Sequence, residues 1–569
     1  MIKIEVSLDA SNEGIRVKMR YHEKIKNRIR RELSGRWKAK MRSWYVPYAY
    51  YSDLKNLLLE YNCKVNESSR LATHLQNIGL LCSDMDGDLE LAENFKGRLY
   101  DFQKKGHQFL MNRTAGMLAY ETGLGKTVVT ISVIQKRIEE GKGYNNLIIC
   151  PNNVKLQWAE EIKRFTGNDA YVIDSKLKNR DWFNLQQWRI ANYAIVRQDK
   201  EKVLQTKFNT LVVDEIHNIG NHKAQITEVI NNIDTDFKIG LSATPFMNKP
   251  EEYYNVMNFL AGNYLGFITH FRKQFCKGYL NTYGSHAYYD TTGYKNLDLL
   301  HKKTKNLFQR VRKLEVEADL PEVVDTTRKL ELNTLQNRIY KKLENRAVES
   351  YESGSMSGAI ETLTVLRMLV DSPELLTASD AEWVRSYVEG IKEFRSAKTE
   401  AITDLIYEII MGTTDEKVFI FTEFVNMAKI LSRDLREMDI SSVVVTGQVP
   451  LLKRKELIDK VKLAGQEGPR IIIATPCLSE GINAQFCSYL IHADLAWTPG
   501  AMKQRQGRVH RMGSTTEKVN VYTFITEGTV EERMLALLQE KQGYVDEIIE
   551  GREPTKDAKI SMKRILGIK

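Results

Sequence analysis

Residues 117–138 read "MLAYETGLGKTVVTISVIQKRI", an apolar run, a glycine-bearing turn and a helical pattern in direct succession. That order is strand, loop, helix, and the loop has the content of a phosphate cradle. Gly123 and Gly125 free the backbone from Thr122 through Leu124 to curl its amides around phosphate oxygens, with the helix N-terminus directed at them. Lys126 is then placed to reach the β- and γ-phosphates, and Thr127 to ligate Mg²⁺. Tyr120 departs from the usual eight-residue pattern, which begins on a small residue.

Outward from this stretch, short apolar runs alternate with amphipathic helical patterns from about residue 98 onward, the signature of βαβ units. One series holds "MLAY", "LIIC", "AIV", "LVVDE" and "KIGLSAT" between Met117 and Thr244. A second holds "KVFIFT", "SVVVT", "RIIIAT", "YLIHAD" and "VNVYTFI" between Lys417 and Ile525. The expected fold class is therefore α/β, two lobes of parallel sheet flanked by helices. Between them, over roughly 250–400, the pattern is helical, with a Gly- and Tyr-rich loop at "KGYLNTYGSHAYYDTTGY".

In "LVVDEIH" the apolar Leu211–Val213 run delivers two acids to a strand tip, where doubly wound sheets bind ligands. Asp214 is placed to hold the Mg²⁺ and Glu215 to polarise an attacking water. After the next strand, Ser242 and Thr244 of "LSATP" either relay loss of the γ-phosphate or serve as turn residues. In the second series, "QRQGRVHRMG" (504–513) follows "DLAWTP", so Thr498 is read as an N-cap with Pro499 at the first helical position. Gln504, Arg508 and Arg511 then fall at i, i+4 and i+7 on one helix face. Positive charge delivered to a transferring phosphoryl group contributes on the order of 10³–10⁵ in rate. These arginines are accordingly assigned to ATP hydrolysis in a cleft between the lobes.

The chain has 569 residues and a formal charge of +10, of which residues 1–64 carry 15 Lys and Arg against 7 Asp and Glu, a net +8. Charge concentrated in one segment suggests a polyanion partner there. Within it, "LSGRWKAKMRSWYVPY" sets Trp37 and Trp44 seven apart with Arg36, Lys38, Lys40 and Arg42 between, a hairpin flanked by helical "HEKIKNRIRREL" and "YSDLKNLLLEY". The tryptophans serve as core, as a stacking platform for bases, or as both. Asn152, beside Pro151 and Asn153 after "LIIC", and Trp158 and Trp497 are candidate grips on a nucleic-acid backbone, the tryptophans having a core role as the alternative. Six cysteines without a C-x-x-C pair indicate neither a zinc site nor a disulfide framework and fit a reducing cytoplasm. No apolar run approaches the roughly 18 residues of a membrane span.

In order, "LYDFQKKG", "ETGLGKT", "LIICPNN", "DEIH", "LSATP", "KVFIFTEF", "SEGINAQF" and "DLAWTPGAMKQRQGRVHRMG" resemble the motifs of the Swi/Snf family of superfamily-two DNA translocases over about residues 98–545. "NVMNFL", "RKLEVEADLP" and "LRMLVDSPELL" are similar to its helical insertions. The resemblance implies two RecA-like lobes, ATP hydrolysis at their interface and stepping along duplex DNA. It also implies adenine recognition by Gln103, coupling by His217 and a nucleotide contact at Gly481. Departures are Tyr120, Ile216 within "DEIH", and "CLSEG" in place of an Ala-Gly-Gly run; the Ser-Glu-Gly form is like that of the bacterial RNA-polymerase-associated branch. The N-terminal pattern is similar to the HARP domain of annealing helicases, which directs such motors to forks.

The expected organisation is a small basic α+β domain (1–90), an ATP-binding lobe (91–247), helical insertions and linker (248–397), a second lobe (398–530) and a C-terminal helical brace (531–569). The expected function is an ATP- and Mg²⁺-dependent, monomeric double-stranded DNA translocase that remodels branched DNA in the cytoplasm of a bacterial or phage-infected cell. The alternatives are displacement of a DNA-bound protein such as RNA polymerase, and strand separation.

Overall fold

The computed structural model describes residues 2–8, 14–81, 89–174, 180–183, 185–221, 224–243, 250–283, 286–316, 320–465, 468–478, 483–549 and 562–568. The chain forms two compact units, built mainly from Met1–Arg312 and from Lys313–Val545.

The first unit begins with a five-stranded sheet of β1 (Lys3–Leu8), β2 (Ile15–Met19), β3 (Arg36–Lys38), β4 (Ser43–Val46) and β5 (Lys64–Glu67), in the order β3-β4-β2-β1-β5. Period-2 apolar positions dictate which face is covered: Ile4, Val6, Ile15 and Val17 are buried. Helix Glu23–Arg31 covers them with Ile25 and Ile29, and helix Tyr51–Glu60 with Leu54, Leu57 and Leu58.

This small domain is fastened to the rest of its unit. Lys303, buried although charged, donates to Asp53 (2.5 Å) and to the Ala49 carbonyl (3.2 Å), and lies 3.9 Å from the Tyr50 ring centroid. The Ala49 amide donates to the Tyr264 carbonyl (3.0 Å), and Tyr50 hydrogen-bonds Gln274.

The second sheet of this unit is parallel throughout. It contains β6 (Ala115–Tyr120), β7 (Asn146–Cys150), β8 (Tyr171–Val172), β9 (Trp188–Asn192), β10 (Phe208–Asp214), β11 (Thr235–Leu241) and β14 (Phe308–Val311), in the order β14-β6-β11-β10-β7-β9-β8. Every residue of β6 and β7 is buried, as for a sheet covered on both faces. Two strands, β12 (Cys276–Tyr283) and β13 (His286–Tyr294), form a separate antiparallel ribbon.

The second unit holds a six-stranded parallel sheet of β15 (Glu322–Leu330), β16 (Val418–Phe421), β17 (Ser442–Val445), β18 (Ile471–Ala474), β19 (Tyr489–His492) and β20 (Lys518–Thr526), ordered β15-β20-β19-β16-β18-β17. The α/β class, the two lobes and the small N-terminal domain are as the sequence leads one to expect.

Four local expectations change, the first being that the Gly- and Tyr-rich stretch 277–294, expected as a loop, supplies the paired strands β12 and β13, because cross-strand hydrogen bonds form there that composition does not report. "AIV" (194–196) is helical, because the Asn192 side chain caps helix Tyr193–Gln198 by accepting from the Ile195 amide (2.8 Å), and the strand is the preceding β9. The expected helical region 248–397 also supplies β14 and β15, which extend the two parallel sheets at their edges, a tertiary pairing that local periodicity does not report. Helix Pro499–Gln506 has Thr498 as its N-cap, accepting from the Ala501 amide (3.2 Å). It stops before Arg508, so Gln504, Arg508 and Arg511 do not share a helix face. Beyond its last residue, tight turns (Arg508 amide to Arg505 carbonyl, 3.1 Å; Val509 amide to Gln506 carbonyl, 3.2 Å) drop Val509 into the core instead.

Candidate nucleotide site

The phosphate loop leaves the C-terminal end of β6 and enters helix Lys126–Glu139. Gly123 (φ +89°) and Gly125 (φ +78°) occupy the left-handed region, where a side chain is disfavoured. A Cβ on Gly125 would also collide with the Gln103 amide nitrogen. Lys126 Nζ donates to the Tyr120 carbonyl (2.8 Å), which holds the ammonium against the strand end, and Thr127 sits half-buried in the first helical turn. Thr122 and Leu124 are buried beneath the loop.

Gln103 belongs to helix Asp101–Met111, where its Oε1 accepts from the Tyr100 amide (3.0 Å) and its Nε2 donates to the Leu124 carbonyl (3.1 Å). Its amide thus stitches the helix start to the phosphate loop.

Tyr120 has its own explanation. Its phenol turns away from the loop and packs against Gly106, and its hydroxyl donates to Gln309 of β14 (2.7 Å) and lies 3.2 Å from the Phe102 carbonyl. The large residue braces the helix and the edge strand against β6 without entering the cradle.

β10 pairs with β7 and β11 and delivers the acids at its C-terminal tip. Asp214 Oδ2 accepts from the Trp158 indole (2.9 Å) and Oδ1 from the Glu215 amide (3.0 Å). Burial, then the neighbouring Glu215 carboxylate, push the Asp214 carboxyl up to about 6, against the opposing pull of the Trp158 donor and Lys126.

Glu215 has φ +52°, a conformation costing about 1–3 kcal/mol in a residue with a side chain. Its carbonyl accepts from Asn218 Nδ2 (3.0 Å), and the Tyr193 hydroxyl donates to the preceding Asp214 carbonyl (2.5 Å) and lies 3.3 Å from that of Glu215, so the surroundings enforce that geometry. His217 Nδ1 lies 3.3 Å from the Glu215 carboxylate. Ser242, fully buried, follows β11 and donates its amide to the Leu118 carbonyl of β6 (3.2 Å). Lys126, Asp214, Glu215, His217 and Ser242 thus gather at one end of one sheet. Thr244 and Gly481 lie outside the described residues.

In the second unit the arginines divide by role. Arg505, 1% exposed, donates to the Asp494 carbonyl (2.9 Å) and pairs with Glu423, so it holds the fold. Arg508 Nε donates to the Gln504 carbonyl (3.3 Å), and Arg511 hydrogen-bonds Asn483. Gln485 Nε2 to Gly513 (2.9 Å) and Ser514 Oγ to the Gln485 carbonyl (2.9 Å) knit the same two segments together.

Of the nucleic-acid candidates, Arg36 packs over the Phe267 ring (4.9 Å) and Lys38 over Tyr45 (4.4 Å), while Lys40 and Arg42 are exposed. Trp37 and Trp44 are cross-strand partners with centroids 5.6 Å apart; Trp37 is 46% exposed and Trp44 only 7%. Asn152 accepts from Asn192 (2.7 Å), and half-exposed Trp497 stacks with Arg367 (4.4 Å). Trp158, considered as a backbone grip, is buried and serves Asp214 instead.

The family model of the SNF2-related domain matches residues 59–375, and that of the helicase conserved C-terminal domain matches 397–513. The chain belongs to the SNF2-related family. Proteins similar to it include an uncharacterized ATP-dependent helicase of Mycoplasma pneumoniae (26% identical; 81% of this chain, 43% of the relative). Others are the uncharacterized ATP-dependent helicase YqhH of Bacillus subtilis (26%; 76% of each chain) and the bovine DNA annealing helicase and endonuclease ZRANB3 (24%; 81% of this chain, 42% of the relative). The chain spans less than half the length of the mycoplasma and bovine relatives. A solved SWI2/SNF2 ATPase core of Sulfolobus solfataricus in complex with dsDNA is 23% identical and covers 84% of this chain and 99% of its own, at a TM-score of 0.39.

Within this SNF2-related chain, local reading found the loop and the acids but missed the residues that position them. Trp158 is 56 positions from Asp214 and Tyr193 is 22 from Glu215.

Proposed function

We propose that the chain is an ATP-dependent double-stranded DNA translocase that remodels branched or fork DNA. The observation that carries this reading is the presence, in one compact unit, of the site built from Lys126, Asp214 and Glu215 and of a basic domain whose hairpin exposes Trp37 beside Arg36, Lys40 and Arg42. Lys126 supplies charge to the phosphates, Glu215 orients the attacking water, and His217, in contact with Glu215, and Ser242 are the coupling residues. Arg508 and Arg511 offset charge developing on the transferred group.

Asp214 and Thr127 are oxygen donors of the kind Mg²⁺ takes, and each Asp214 oxygen retains a lone pair beyond the hydrogen bond it accepts. When bound with ATP, that ion neutralises and orients the phosphates. The branched-DNA reading draws support from the similarity to a protein named as an annealing helicase.

The test is fork preference. Stacking one unpaired base on an aromatic side chain is worth about 1–3 kcal/mol. Trp37→Ala is therefore expected to lower affinity for a fork with an unpaired arm by about 5-fold or more, with linear duplex little changed. Equal affinities for wild type and variant on the fork would remove the targeting role.

A further inference from the structure

The Tyr-rich ribbon of β12 and β13 has no part in the nucleotide site, yet it is built with care. Its base is locked: Cys276 and Tyr294 are buried, the Lys295 amide donates to the Phe275 carbonyl (2.9 Å), and the Tyr289 hydroxyl reaches the Gly278 carbonyl (3.3 Å). Glu251, in helix Pro250–Leu260, accepts from Arg272 Nε (3.2 Å) and also from the Thr291 hydroxyl, tying the ribbon to the helix that follows the Ser242 strand. Helix Ile268–Phe275, which runs directly into β12, also holds the N-terminal domain through Gln274, whose partners are Tyr50 and Ser34.

Beyond this base the ribbon is a two-stranded sheet of its own, an arrangement marginal in water without a partner or a covering core. It nevertheless exposes Tyr279 (56%), next to exposed Lys277 and near exposed Lys273. Over residues 272–295 the sequence has Arg272, Lys273, Lys277 and Lys295 against the single acid Asp290, and five tyrosines. The exposed Tyr279 hydroxyl and the Lys273 and Lys277 ammonium groups are phosphate donors, and a two-stranded ribbon is one of the two elements that a duplex major groove admits.

We infer that the Cys276–Tyr294 ribbon is a second DNA-contact element, which lies along duplex DNA and holds it chiefly through phosphates by way of Lys277 and Tyr279. The inference rests on the translocase reading and adds to it a contact surface separate from the Trp37 hairpin. Because both elements are fastened to helix Ile268–Phe275, duplex and branch point are held by one support.

The experiment is equilibrium binding of the full chain to a labelled linear duplex and to a single strand, between about 50 and 200 mM NaCl. Both target positions are exposed, where substitution leaves stability nearly unchanged, and the thermal midpoint checks folding. Lys277→Ala is expected to flatten the log–log salt slope for duplex by about 0.9, the value of one phosphate contact. Lys277→Ala with Tyr279→Ala is expected to weaken duplex binding at least 5-fold. Wild-type affinity and slope in both variants overturn the ribbon assignment while leaving the translocase reading in place. A loss confined to single strands overturns it as well. A wild-type chain that binds no DNA in any form overturns both readings.

Discussion

At the scale of single residues, the site is organised by groups outside the phosphate loop and the strand-tip acids. Trp158 illustrates this: its indole donor is the strongest hydrogen-bonding influence keeping the buried Asp214 carboxyl available as an anion, against burial and against Glu215. Trp158→Phe keeps most of the volume and deletes the donor, leaving a buried carboxylate oxygen without its partner at a cost of about 1–3 kcal/mol. The expected outcome is a raised Mg²⁺ concentration for half-maximal hydrolysis, with the ATP requirement at saturating Mg²⁺ much less affected. Titrating Mg²⁺ against steady-state turnover checks it, and an unchanged Mg²⁺ midpoint would contradict the positioning role. Little of this was legible in advance. Asp214 and Glu215 announce themselves as acids at the end of an apolar run, whereas a tryptophan on another helix carries no mark of its partner until the strands pair.

Among elements, the second unit is held by a buried ionic cluster that joins helices distant in sequence. Lys398, at the start of helix Ala397–Gly412, contacts Asp371 (2.7 Å) at the end of helix Met356–Asp371 and Glu531 (2.6 Å) at the start of helix Val530–Ile549, all three at most 2% exposed. Burial by itself pushes the lysine pKa down, but the two carboxylates raise it on balance, while burial pushes the Asp371 carboxyl well up. Removing one partner from such a cluster strands the others, at about 3–5 kcal/mol. Lys398→Ala is expected to destabilise this unit by that amount in a urea titration. The triple change to Lys398→Met, Asp371→Leu and Glu531→Leu is expected to recover most of it. A loss below about 1 kcal/mol for Lys398→Ala would mean that the cluster does not bear on the fold. Element type was largely readable where apolar runs were long. The exceptions follow one cause: a cap at Asn192, tight turns after Gln506 and edge pairings of β14 and β15 override local periodicity.

At the scale of the whole molecule, charge partition pointed to the N-terminal domain as a separate functional part, and its sheet is indeed its own. Its attachment was not legible, because Lys303 and Asp53 are 250 positions apart and each reads locally as a surface charge. The fastening means that the basic hairpin moves with the lobe carrying Lys126, Asp214 and Glu215. The central claim is that this lobe hydrolyses ATP under the control of DNA. The most direct test is steady-state ATP turnover of the wild type and of Glu215→Gln, without nucleic acid and then with single-stranded DNA, linear duplex, a model fork and RNA. The expected result is stimulation of the wild type by duplex, more by the fork, and loss of turnover by about 10²-fold or more in Glu215→Gln, whose amide cannot act as a base. Turnover indifferent to every DNA, or retained in full by Glu215→Gln, would contradict it.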